Sequence, residues 1–117
     1  MSRAVVTATI AIVLMMLSAP GTVSAAEPSE LTPLQGQGKV LFNKTCIWCH
    51  GPGVWGTNRL AKRFDKEHAL LENRTDLTAA GIRAVVRTGL GSMPPYRKTE
   101  VSDADIAAIA AYLTRPH

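Results

Sequence analysis

Apolar residues recur along this chain at the spacing of short amphipathic helices, and no stretch of strand length stands out. Positions 35–46 read as a first helix, with Val40, Leu41 and Thr45 on one side and Phe42 nearby. Gly51, Pro52 and Gly53 stop it, and Gly56 prolongs the loop. Residues 60–71 read as a weaker helix carrying Leu60, Phe64, Ala69 and Leu71. Thr78 is placed to cap a helix over 79–88, with Ile82, Val85 and Val86 as its apolar face and Gly89 at its end. A loop rich in glycine and proline follows over 89–98. Ser102 then caps a last helix whose first turn holds Asp103 and Asp105, on the side that the helix dipole favours for acids. Its apolar stripe is Ile106, Ile109, Tyr112 and Leu113, and Arg115-Pro116 ends it. The pattern predicts an all-α domain of three to five short helices without internal repeats.

The first 25 residues depart from this pattern. Arg3 precedes an apolar stretch over 4–17, Pro20-Gly21 breaks it, and Val23-Ser24-Ala25 offers small residues for cleavage. This is the layout of a secretory signal peptide cut near Ala25. Residues 26–34 then form a flexible leader and 35–117 the domain. The apolar stretch is short for a membrane span, so no stable membrane anchor is expected after cleavage, and the mature protein is expected in the periplasm.

At 117 residues and a formal charge of +4, the chain is one small domain, neither a multi-domain enzyme nor an acidic disordered tail. Losing Arg3 with the signal peptide lowers that charge by one. So small a basic excess, on an exported protein, argues against nucleic acid as a partner. A domain this size often depends on a disulfide, a metal or a cofactor to hold its fold.

Cys46-Ile47-Trp48-Cys49-His50 is a C-x-x-C-H pentapeptide, the attachment signature of c-type haem. On a helical turn, residues i, i+3 and i+4 share a face. Cys46 and Cys49 can therefore meet the two vinyl groups on one porphyrin edge as thioethers, while His50 projects an imidazole nitrogen toward the iron. Three rivals share parts of the motif. A dithiol oxidoreductase would set C-x-x-C beside a βαβ pattern, and none is present. A structural zinc site would need a second ligand pair, for which only His68 and His117 remain. A plain disulfide leaves His50 without a role.

A second signal lies downstream in Gly89-Leu90-Gly91-Ser92-Met93-Pro94-Pro95-Tyr96. Proline restricts the residue before it, so Met93 is held extended, and the glycines let the backbone curl around a bulky object. A stiff loop presenting one thioether suits the sixth position of a haem iron, and a His/Met ligand pair raises the reduction potential. The competing role for Met93 is as a core side chain. His68, in the charged run Asp65-Lys66-Glu67, is the rival ligand but reads as solvated, and His117 as free.

These residues resemble the class I monohaem cytochromes c. The matching pieces are Gly38-x-x-Leu41-Phe42, residues 46–50, Met93-Pro94 and a last helix with Tyr112 and Leu113. The resemblance implies a small cytochrome c-type fold wrapped around one haem c. It implies covalent attachment at Cys46 and Cys49, His50 as proximal ligand and Met93 as distal ligand. It also implies that the first and last helices cross, with Gly38 against Tyr112. The run from Ile82-Arg83 through Val86-Arg87-x-Gly89 to Met93-Pro94-Pro95 is further similar to the small cytochrome subunits of flavocytochromes of the 4-cresol dehydrogenase and eugenol hydroxylase group. In that group the cytochrome accepts electrons from a flavoprotein that oxidises a phenol. Gly51-Pro52 directly after His50 departs from many class I members, leaving open which carbonyl orients the imidazole.

The expected function is single-electron transfer rather than bond chemistry. The protein would act as a subunit or direct acceptor of a flavoprotein, or as a freely diffusing carrier. An open sixth site would instead give a haem peroxidase. Nine basic and four acidic residues lie from Arg59 to Lys98, and Arg83 and Arg87 precede the Met93 loop. That bias suits either an acidic redox partner or an ordinary solvated face. Trp48, inside the pentapeptide, and Trp55, just after it, are expected as cover for the haem, or in the case of Trp48 as contact surface.

Overall fold

The computed structural model describes residues 30–117. The expected signal peptide and most of the expected leader lie outside those residues. Among the described residues five α-helical segments follow one another: α1 (Pro33–Leu41), α2 (Ile47–His50), α3 (Trp55–Leu60), α4 (Ala79–Thr88) and α5 (Asp103–Leu113). A π-helical turn over Phe42–Cys46 joins α1 to α2, and a 3-10 turn over Leu71–Asn73 lies between α3 and α4. Among the described residues the only extended pairing is one isolated bridge, Leu90 with Met93.

Local chemistry sets most of the boundaries. Thr32 and Gln35 form a reciprocal capping box at the start of α1, two residues earlier than the sequence suggested. Thr78 caps α4 through Gly81 N, and Ser102 and Asp105 form a second capping box on α5. At the end of α4, Gly89 takes φ +73°, which a side chain would resist, and Gly91 follows at φ +59°.

The weak helix expected over 60–71 is not formed. Helix α3 comes earlier and ends at Leu60. Beyond it, Asp65 Oδ1 accepts from the backbone N–H groups of Glu67 and His68 at 3.0 and 2.9 Å, turning the chain where a helix would have continued. The inward face of α1 also differs from expectation. Phe42 is fully buried and Gly38 is buried, whereas Val40 is 67% exposed. Residues four apart share a helix face, so the 38/42 line points inward and Val40, two places from each, points away.

The core gathers where α1 crosses α5. Gly38 lies directly on the Ala108 carbonyl and the Tyr112 side chain, with no room for even a methyl group between the helices. Phe42 meets Tyr112 with ring centroids 6.0 Å apart, and Val101, Ile106, Ile109 and Leu113 complete the buried cluster. Ile82 and Val86 of α4 also pack against it. The Tyr112 hydroxyl donates to Glu72, tying the 3-10 turn to α5. The Arg115 guanidinium lies 4.2 Å from the Tyr112 ring centroid.

Candidate functional site

The crossing of α1 and α5 positions the pentapeptide. The π-helical turn carries the chain from the buried Phe42 to Cys46, and α2 presents Cys49 and His50 within one turn of it. Cys46 and Ile47 rest on the hydrophobic core, while Cys49 is exposed, and neither cysteine is in a disulfide. Burial, and then the neighbouring Cys49, push the Cys46 thiol up to about 11, so it is held neutral.

Burial lowers the pKa of His50, favouring the neutral imidazole that a metal requires. Its Nδ1 is buried and has no hydrogen-bond partner among the described residues, so none of their carbonyls orients the ring. Instead, the turn after His50 is fixed through its backbone: the buried Thr57 hydroxyl donates to the Gly51 carbonyl at 2.7 Å. Nothing in the sequence pattern had singled out Thr57.

The Met93 loop is a short, closed structure. Leu90 and Met93 exchange two backbone hydrogen bonds of 3.0 Å each. Gly89 N donates to Val85 O and Tyr96 N to Val86 O, both at 2.8 Å, so both limbs return to the last turn of α4. Tyr96 is half-buried against the core. Burial raises its phenol pKa, and Tyr96 packs on the same hydrophobic cluster as Cys46 and Ile47. The loop and the pentapeptide are thus joined through that shared core, with Met93 partly buried.

The remaining candidates lie apart. His68 is exposed and bonded to Asp65 through Nδ1 at 2.7 Å; that contact raises the His68 pKa and lowers that of Asp65. His117 is exposed at the C-terminus. Among the described residues no cluster of three or more His, Cys, Asp or Glu could hold a metal ion.

Charge is distributed unevenly around the site. Arg83 and Arg87 both reach Asp103 Oδ1, at 3.2 and 2.8 Å, and Lys98 reaches Oδ2 at 3.1 Å. The two arginines, which the sequence left as either a basic rim or a solvated face, therefore share one carboxylate. Between Glu30 and Asp65, by contrast, the chain has no acid at all but carries Lys39, Lys44, Arg59, Lys62 and Arg63. Both tryptophans lie in that segment. Trp48 is 75% exposed, and its indole donates to the Lys44 carbonyl at 3.2 Å, which holds it on the outer side of the helix.

The family described as Cytochrome C oxidase, cbb3-type, subunit III matches residues 33–113. The 4-cresol dehydrogenase (hydroxylating) cytochrome c subunit of Pseudomonas putida is 32% identical over 94 residues, covering 80% of this chain and 73% of that protein. No solved structure matches the chain. With its helical fold and a match that runs from the start of α1 to the end of α5, the chain belongs to this cytochrome c-type family.

Proposed function

We propose that the protein is an exported cytochrome c that passes single electrons through one haem, covalently attached at Cys46 and Cys49 and ligated by His50 and Met93. The reading rests above all on one juxtaposition. Two thiols and a neutral imidazole lie within one helical turn, and Tyr96, at the end of the loop bearing Met93, packs on the same buried cluster as Cys46 and Ile47. The donor set fits a haem: one imidazole, one soft thioether and two thiols three residues apart on one helical turn. The partnerless, sealed Nδ1 of His50 leaves Nε2 as the nitrogen for iron.

When bound, the haem supplies reversible one-electron chemistry between Fe(III) and Fe(II). The chain's own residues fix its environment. Burial keeps His50 unprotonated and available as a ligand. Core contacts at Cys46 and Ile47 hold the attachment turn, and the paired bonds of Leu90 and Met93 hold the thioether in place. With His50 and Met93 both serving as its ligands, the haem would offer no open position to oxygen or an organic substrate, and the protein would relay electrons rather than catalyse.

The similarity to a 4-cresol dehydrogenase cytochrome subunit supports a periplasmic flavoprotein acting on phenolic substrates as the electron donor. The acid-free segment with its outward Trp48 offers that donor a positive, partly apolar contact surface. The family match to an oxidase subunit favours a second reading, a carrier that delivers electrons to a terminal oxidase.

Expression with a cytochrome c maturation system tests the proposal. Haem should stay with the polypeptide on a denaturing gel. The ferric protein should show the sulfur-to-iron absorption band, and Met93→Ala should lose it. Colourless protein, or a spectrum unaffected by Met93→Ala, refutes the assignment. Co-purification at fixed stoichiometry with a flavin-containing protein separates the subunit reading from the free carrier.

A further inference from the structure

The loop that carries Met93 has an unusual weakness. Pro94 and Pro95 follow the methionine directly, and neither has an N–H to donate. From Met93 to Tyr96 the return limb therefore has only one backbone donor bond to the helix behind it, Tyr96 N to Val86 O at 2.8 Å. The limb must also be held through its carbonyls.

Arg87 does this. Its side chain is 19% exposed and lies in the α4 turn to which both limbs of the loop return. Nη1 donates to the Tyr96 carbonyl at 3.0 Å. Nη2 donates to the Val101 carbonyl at 2.9 Å and to Asp103 Oδ1 at 2.8 Å. One planar fork thus joins the end of the methionine loop, the segment before α5 and the first residue of α5. Its Nε is buried without a partner, a cost the fold tolerates while the fork stays aimed at two carbonyls and a carboxylate. Asp103, also held by Arg83 and Lys98, stays ionised well into the acid range and anchors the guanidinium.

We propose that Arg87 is a positioning residue for the Met93 sulfur, clamping the proline-rich return limb through the Tyr96 carbonyl, with Asp103 fixing the clamp. The inference rests on Met93 being an axial ligand. A neutral thioether binds Fe(III) weakly, so its hold depends on how tightly the loop keeps it in place. Loosening the limb lets an external ligand compete.

The test uses matured, haem-loaded protein with imidazole as competitor for the ferric iron, at a temperature where circular dichroism shows each variant fully folded. Arg87→Gln should raise the apparent imidazole affinity about tenfold or more, equivalent to about 1.4 kcal/mol, and weaken the sulfur-to-iron band. Arg87→Lys, which keeps the charge but cannot reach both carbonyls, should fall between it and wild type. Asp103→Asn should give a rise of a few-fold. Arg83→Gln, which removes an equal charge from the same carboxylate without touching the loop, should bind imidazole as wild type does.

An Arg87→Gln affinity within twofold of wild type overturns the proposal. So does an Arg83→Gln effect as large as that of Arg87→Gln, since charge near Asp103 would then explain both. Should Arg87→Gln fail to mature, wild-type affinities in both Arg87→Lys and Asp103→Asn overturn it equally. A wild-type protein without the band, binding imidazole as Met93→Ala does, sinks the ligand assignment itself. A band present in wild type and undisturbed in the Arg87 variants sinks only the clamp.

Discussion

Gly38→Ala probes the contact on which the helix crossing depends. A Cβ built at Gly38 overlaps the Ala108 carbonyl oxygen, and lies 2.5 Å from the carbonyl carbon and 2.9 Å from the Tyr112 Cβ. These obstacles are backbone, or an atom fixed to it, so no rotamer change relieves them. Helix α1 must move away from α5, loosening the packing of Phe42 on Tyr112. Overpacking of this kind costs about 1–3 kcal/mol, with backbone obstacles toward the upper end. Alanine's better helix propensity offsets about 1 kcal/mol, leaving a net loss of about 1–2 kcal/mol. Gly36 is an internal control. It lies in the same helix with nothing within 4 Å of a Cβ, so Gly36→Ala should stabilise by about 0.5–1 kcal/mol. At roughly 4–8 °C per kcal/mol for a domain of this size, the two variants should melt about 6–24 °C apart. Thermal unfolding by far-ultraviolet circular dichroism, on samples matched for haem content, measures the gap. Equal melting temperatures for Gly36→Ala and Gly38→Ala would show that α1 and α5 do not approach this closely.

Three further outcomes follow from specific groups. Arg87 and Lys98 hold the Asp103 carboxyl down to about 2, so its contribution is intact above the ordinary carboxylate range and disappears as pH falls from about 4 to 2. Asp103→Asn should therefore flatten the acid-unfolding profile across that interval, and an unchanged profile refutes the linkage. Burial and the Glu72 hydrogen bond push Tyr112 up to about 12, so the unfolded chain loses that proton first and stability falls as pH rises from about 10 to 12. Alkaline denaturation of Tyr112→Phe should lack this component; a curve parallel to wild type sinks the assignment. Thr57→Val keeps the shape but leaves the Gly51 carbonyl without its buried donor, and should cost about 1–3 kcal/mol in denaturant unfolding. A loss below about 0.5 kcal/mol would mean that the bond is not holding the turn after His50.

The sequence by itself determined what depends on neighbours a few residues apart. The caps at Thr78 and Ser102, the stop at Gly89, the buried stripe of α5 and the spacing of Cys46, Cys49 and His50 all follow from helical geometry and short side-chain reach. The helical fold and the cytochrome c-type family were legible from those signals together. Tertiary structure decided which side of α1 faces inward, because only the approach of α5 requires the small residue at Gly38 and turns Val40 outward. It also placed α3 ahead of the expected helix, through a hydroxyl at Thr57 and a turn at Asp65 that propensity does not weigh. It converted Arg87 from a surface charge into a three-way tie, since its acceptors lie 9, 14 and 16 residues away. Periodicity and capping are local and can be read from order along the chain. The meeting of segments distant in sequence is settled only when the whole apolar surface is buried at once.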